Sequence, residues 1–236
     1  MSAMIKPANR LLAALPALEL TLLLPKLREI SLNYTETIYE AGDVIRHVYF
    51  PNSGIISLLS AVEKRAVLEV GIVGNEGFVG LPVFLGVETS NNRAIVQGEG
   101  AAWEMKTEDF LALCRNGGAL SRLLQRYTHS LLTQISQSAA CNRFHPIEAR
   151  LARWLLMTCD RMGSNEFKIT QEFLSNMLGV RREGVSKSAT NLQQNGLISY
   201  SRGKLSILDR AALEAVSCSC YEIIKAETSN NNSAGD

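Results

Sequence analysis

The apolar pattern changes period near residue 107, and a chain that does this cannot be built from one kind of layer. From Tyr34 to Met105 the apolar residues come in short runs: Thr37–Tyr39, His47–Phe50, Ile55–Leu59, Ala66–Ile72, Arg93–Gln97 and Ala101–Met105. Glycines at 42, 54, 74, 77, 80, 86, 98 and 100 separate them. Short runs divided by turn residues read as strands of a sandwich or jelly roll. From Thr107 onward the spacing becomes helical. Thr107 precedes Glu108 and Asp109, a cap residue with acids in the first turn. After Gly117-Gly118, Leu120, Leu124, Tyr127, Leu131, Ile135 and Ser138 recur at steps of three and four. That is an apolar seam along one long helix. It reads as a parallel dimer interface through Leu120, Leu124, Tyr127, Leu131 and Ile135, with packing on the chain's own β domain as the alternative.

Phe144-His145-Pro146 ends the long helix, because the residue before a proline avoids the α region. These residues read as a hinge. The expected class is therefore α+β. It comprises a jelly-roll β domain over 8–116, a long helix over 117–143, a small C-terminal domain over 144–227 and an unordered Ser/Asn/Gly tail over 228–236. Apolar residues make up 46% and charged residues 20% of the 236, enough to bury a core and too apolar for general disorder. At the N-terminus, Leu11 to Leu24 resembles a signal peptide, but Pro16, Glu19 and Pro25 interrupt and close it, and a short helix pair is expected. No run reaches the ~18 apolar residues of a membrane span. A cytoplasmic protein without membrane contact is expected.

The segment from Ile169 to Leu208 carries the most specific pattern. Thr170 and Glu172 open a short helix, with Gln171 beside them and Phe173, Leu174, Met177 and Leu178 on one face. Gly179 stands where a tight turn needs positive φ. A second helix follows with Val185, Ala189 and Leu192 inward, and then Leu197–Tyr200 and Lys204–Leu208 flank a hairpin turn at Arg202-Gly203. Helix, glycine turn, helix and hairpin form a winged helix-turn-helix. Its second helix begins with Arg181, Arg182, Glu183, Ser186 and Lys187. An arginine can grip both acceptors of guanine, and a glutamate can accept from the cytosine amino group. Arg202 and Lys204 in the wing would reach phosphates. Between Lys168 and Arg210 there are seven basic and three acidic residues, a local excess of +4 in a chain of net +1. Double-stranded DNA is the expected partner.

With these motifs the chain resembles the Crp/Fnr family of bacterial transcription regulators, over roughly residues 8–215. The resemblance implies a cyclic-nucleotide-binding-like β domain, a dimerisation helix and a winged helix-turn-helix. It also implies a homodimer on a palindromic site, and contact with RNA polymerase if the protein is an activator. The family's recognition helix commonly carries Arg-Glu, then a polar residue and a base-contacting arginine. Here those positions hold Arg182, Glu183, Ser186 and Lys187, and lysine lacks the two-pronged fork. Cyclic-nucleotide binders of the family carry a phosphate cassette whose glutamate holds the ribose and whose arginine pairs with the phosphate. The matching stretch reads Gly77-Phe78-Val79-Gly80-Leu81-Pro82, then Asn91-Asn92-Arg93-Ala94. Leu81 stands where the glutamate belongs, and an apolar side chain cannot hold a ribose hydroxyl. The resemblance thus implies an effector pocket around Gly77, Phe78, Gly80, Leu81, Arg93 and Ala94 that is not built for cyclic AMP. An unknown small effector fits this reading.

No enzyme is expected. His47, His129 and His145 are too dispersed for the metal site of a jelly-roll enzyme, and no phosphate-binding or nucleophile motif is present. A regulatory module acting on a protein partner is the other class, but it has no use for a basic first turn on the second helix. Five scattered cysteines, Cys114, Cys141, Cys159, Cys218 and Cys220, do not make a disulfide framework. No cysteine precedes Cys114, where the family's iron–sulfur sensors carry theirs. Cys218-x-Cys220 lacks two further ligands nearby, so no metal and no cofactor is expected.

Overall fold

The computed structural model describes residues 7–63, 66–115 and 117–233. They fall into two compact units. The first comprises residues up to Leu58 together with Ile72–Leu132 and the stretch from Thr228, and the second Leu59–Gly71 with Thr133–Glu227. The N-terminal segment forms α1 (Arg10–Ala13) and α2 (Ala17–Leu23), the expected helix pair. Next come β1 (Arg28–Leu32), β2 (Thr37–Tyr39), β3 (His47–Pro51), β4 (Ile55–Glu63) and β5 (Ala66–Val73). A short α3 (Leu81–Phe84) precedes β6 (Asn92–Gly98), β7 (Gly100–Lys106) and α4 (Thr107–Cys114). The strands pair in two sheets, ordered β1-β7-β3 and β2-β6-β4-β5. Six strands lie where the glycine-punctuated runs put them. β1 escaped the sequence reading because Arg28, Glu29 and Ser31 break its apolar signal, and its pairing with β7 decides it.

Aromatic rings fill the core of the first unit. Phe78 lies 5.7 Å from Phe50, 5.7 Å from Phe110 and 5.5 Å from Tyr127. Offset and tilted pairs at such distances add to plain area burial. Asn9 fastens the N-terminal helices to this core. Its amide donates to Pro51 O at 2.9 Å and to Gly77 O at 2.8 Å, and its Oδ1 caps α1.

The long helix α5 runs from Ala119 to Phe144. Glu19 caps its start, accepting from Ala119 N at 2.8 Å and Leu120 N at 3.1 Å, so an anion sits on the positive end of the helix dipole. The seam along α5 requires a correction. Leu120, Leu124, Tyr127 and Leu131 are only 3%, 0%, 5% and 3% exposed in a single chain, so they cannot form a dimer interface. They are core residues of their own chain, as the ring contact of Tyr127 with Phe78 illustrates. Of the five expected interface residues only Ile135 keeps part of its surface. Heptad spacing reports that a helix face is buried and does not report what buries it.

In the second unit Pro146 caps α6 (Ile147–Met162). β8 (Glu166–Lys168), α7 (Gln171–Leu178), α8 (Arg182–Gln194), β9 (Ile198–Ser201) and β10 (Lys204–Ile207) follow, then α9 (Arg210–Val216) and α10 (Cys220–Ser233). α9 and α10 are separated by a break at Ser217–Ser219. The unordered tail expected from Thr228 is also corrected, since α10 continues through Ser233. Each added residue of a formed helix gains one backbone bond, which outweighs the modest propensities of Ser and Asn. Residues 234–236 of that expected tail lie outside the described residues.

Candidate nucleic-acid interface

α7 and α8 are held by local chemistry and by the helix beneath them. Thr170 Oγ1 accepts from Phe173 N at 3.1 Å and caps α7. Gly179, at φ 60°, closes α7 in the left-handed conformation, and its N–H bonds back to the last turn. The buried Arg150 of α6 reaches Leu178 O through its Nη2 and satisfies another carbonyl at that end. Leu174, Met177, Leu178, Val185, Ala189 and Leu192 are all buried, so the two helices share one apolar floor. The turn between them is thereby fixed.

What α8 leaves outward is polar and charged. Arg181, Arg182, Glu183 and Lys187 are exposed, and among the described residues their side chains make no hydrogen bond or ion pair. Arg181 occupies the N-cap position without a side-chain cap, and Arg182 is the first helical residue. Two cations at the positive end of a helix dipole oppose that helix's stability. An anion docked there would reverse the sign. One shallow concavity joins Gln171 of α7 to Arg182, Glu183, Ser186, Lys187, Thr190, Asn191 and Gln194 of α8. Thr190 and Gln194 were missed in the sequence. Their spacing of four from Ser186 puts them on the same face, a signal that was there to be read.

The wing differs in detail from its expectation. It has three strands, ordered β8-β10-β9. Arg202 forms the hairpin tip at φ 49°, followed by Gly203 at φ 77°, the paired positive φ values of a tight two-residue turn. Arg202 is exposed and points no charge at a partner among the described residues. Lys204 is instead tied to Glu166 Oε2 at 2.6 Å across the sheet, and Ser206 donates to the same carboxylate at 3.2 Å. These contacts hold the Glu166 carboxyl below its usual range. Gln171, Arg182, Glu183, Ser186 and Lys187 thus border one concavity, Thr170 and Arg181 occupy the N-cap positions of the two helices that form it, Arg202 stands at the wing tip, and Lys204 is already partly neutralised.

Two family profiles match the chain. A cyclic nucleotide-binding domain matches residues 29–116, and a Crp-like helix-turn-helix domain matches residues 149–216. The chain belongs to the Crp/Fnr family. It is a transcriptional regulator of the Crp/Fnr type with a DNA-binding helix-turn-helix. The transcriptional regulator LdrP of Thermus thermophilus is 27% identical over 199 residues, covering 79% of this chain and 95% of the relative. A Crp/Fnr-family regulator from Eubacterium rectale superposes with a TM-score of 0.67 at 18% identity, over 86% of this chain and 94% of that one. FixK2 of Bradyrhizobium japonicum gives 0.67 at 14% identity, over 82% and 98%. At such identities the structures speak for the fold alone.

The expected effector residues in this Crp/Fnr chain have individual roles. A Cβ on Gly77 would meet the Tyr127 ring at 2.3 Å, so glycine lets the loop touch that ring. Phe78 lies in the aromatic core, and Ala94 is buried in β6 opposite Tyr39. Gly80 precedes α3, and Leu81 begins it, half-buried. Arg93 donates to Thr37 Oγ1 at 2.6 Å and pairs with Glu40 at 3.2 Å. A cavity of about 560 Å³ in the β domain is lined by other residues, among them Arg46, His47, Val83 and Lys106. Among the described residues no helix is long and apolar enough to cross a membrane.

Proposed function

We propose that this Crp/Fnr regulator binds a palindromic duplex as a homodimer, with the first turns of α8 in the major groove, and that cyclic AMP does not control it. The observation that carries the reading is the row of exposed, unpartnered charges at the start of α8, on a buried and rigid floor. In a helix-turn-helix that end of the second helix meets the base edges. Arg182 matches the guanine acceptors and Glu183 the cytosine amino group. Lys187 and Arg202 supply charge to the phosphates.

The dimer is assigned to a different face of α5 from the buried seam. Gln125, Thr128, Leu132, Ile135, Ala139 and Asn142 recur at alternating steps of three and four and all keep solvent exposure. Leu132 is 56% exposed in the single chain. A two-fold pairing along this line gives two α8 helices related by symmetry and half-sites about 10–10.5 bp apart, or a multiple of that. Independence from cyclic AMP is supported by Leu81 in place of a ribose-binding carboxylate. It is also supported by Arg93, whose guanidinium is held by Glu40 and Thr37.

Selection of bound duplexes from a random pool by the full chain, without added ligand, tests the reading. An enriched palindrome is expected, and Arg182→Ala should lose preference at one base pair of each half-site. A folded protein that binds specific and scrambled duplexes equally would refute it.

A further inference from the structure

Four ligand-type side chains converge inside the second unit, apart from the surface described above. Cys141 and His145 stand one turn apart at the end of α5, where His145 N donates to Cys141 O at 3.1 Å and carries the helical turn past Phe144. Cys218 lies in the link between α9 and α10, and Cys220 is the first residue of α10. The Cys141 and Cys218 sulfurs are 3.4 Å apart, and Cys220 Sγ is 3.5 Å from His145 Nδ1. All four ligand atoms lie within 4.8 Å of one another. The three thiols are buried in one cluster, and His145 is half-buried.

These separations suit a single tetrahedral ion. Bonds of about 2.3 Å to sulfur and 2.0–2.1 Å to nitrogen put two sulfurs about 3.8 Å apart, and a sulfur and a nitrogen about 3.5 Å apart. An iron–sulfur cluster divides its four protein ligands among two or four irons and so spreads them more widely than four ligands sharing one ion. Soft sulfurs with one imidazole in tetrahedral array select a zinc-class cation over magnesium or calcium.

Surrounding charge supplies a second, independent observation. Arg150 and Arg153 are both buried, and the Nε of each has no partner. Among the described residues neither pairs with a carboxylate. Arg150 reaches Leu178 O, and Arg153 reaches Ser138 Oγ and Met157 Sδ. Buried cations without counter-charge are costly. Three thiolates and a neutral imidazole around a divalent ion carry a net charge of −1 and would supply it. Gln137 Nε2 also points at Cys220 Sγ, at 3.3 Å, a contact of the kind that orients a ligand thiolate.

We propose that Cys141, His145, Cys218 and Cys220 bind one zinc-class divalent cation, which fastens the end of α5 to the corner between α9 and α10. The expectation of no metal drawn from the sequence is thereby revised. C-x-C lacked partners only in its own neighbourhood, and the fold brings them from 77 residues away. The site is independent of the DNA-binding reading and stands or falls without it.

The test uses the full chain, purified under reducing conditions from zinc-replete cells, with metal counted by mass spectrometry. One zinc per chain is expected. The stripped, folded chain should take up Co²⁺ to give intense tetrahedral bands with thiolate-to-metal charge transfer, and Zn²⁺ should bleach them. Cys220→Ser and His145→Ala should each lose stoichiometric metal, whereas Cys114→Ser should keep it. If the variants fail to fold, the Co²⁺ titration of the wild-type chain decides alone. A folded wild-type chain with far less than one metal, and only the weak spectrum of aqueous Co²⁺, would overturn the proposal.

Discussion

Replacing Leu124 and Leu132 separately distinguishes the two faces of α5. Leu124 is fully enclosed by its own chain, and Leu132 is 56% exposed. Leu124→Ala removes a buried side chain and leaves a cavity, at ~3 kcal/mol within the usual 2–5 for such sites. At ~2–4 °C per kcal/mol for a chain of this size, the unfolding temperature should fall by roughly 10 °C. The oligomer's mass at moderate concentration should not change. Leu132→Glu removes no core contact, so the fold of each chain should survive. In a two-fold seam, however, the substitution acts twice. Two carboxylates desolvated without partners, at about 1–3 kcal/mol each or more, weaken association by roughly 100-fold. Scanning calorimetry and sedimentation equilibrium on both variants provide the two readouts. If Leu124→Ala yields stable monomers while Leu132→Glu remains dimeric, the buried seam is the interface after all and the argument from burial fails.

Other substitutions probe the DNA surface and the thiols. Arg182→Ala should cost about 1–3 kcal/mol on the specific duplex and far less on scrambled DNA, read by titration at fixed salt. Arg202→Ala should lower the slope of log affinity against log salt by about one. Lys204→Ala should change it less, because Glu166 already neutralises that charge. Thr170→Ala should cost about 1 kcal/mol in stability by uncapping α7. Burial pushes the Cys114 thiol up to about 11. At pH 8 roughly one such thiol in a thousand is ionised, so alkylation should lag a free cysteine by about two orders of magnitude. The sign for stability follows from the same shift. The native state holds that proton longer than the unfolded chain, so stability should decline as the pH climbs from about 9 toward 11.

Which parts of this molecule could be read from its sequence depends on how far apart the interacting residues lie. Thr170, Gly179, Arg202 and Gly203 act on neighbours within a few positions, so the turns and caps of the winged helix were legible at once. β8 was not, because Glu166-Phe167-Lys168 has no strand pattern of its own and exists by pairing with β10. The α5 seam was legible as buried but not as to its cover. Tyr127 meets Phe78 across 49 residues of sequence, and no period encodes that distance. The same limit hid the thiol cluster. Cys218 and Cys220 announce half a site, and Cys141 and His145 announce another half by their helical spacing. Each half alone is commonplace. Arg150 and Arg153, two buried guanidiniums with no carboxylate partner among the described residues, give them joint meaning, since a buried cation without a counter-charge is costly. Only the packing of α6 beside both halves brings that charge argument into view.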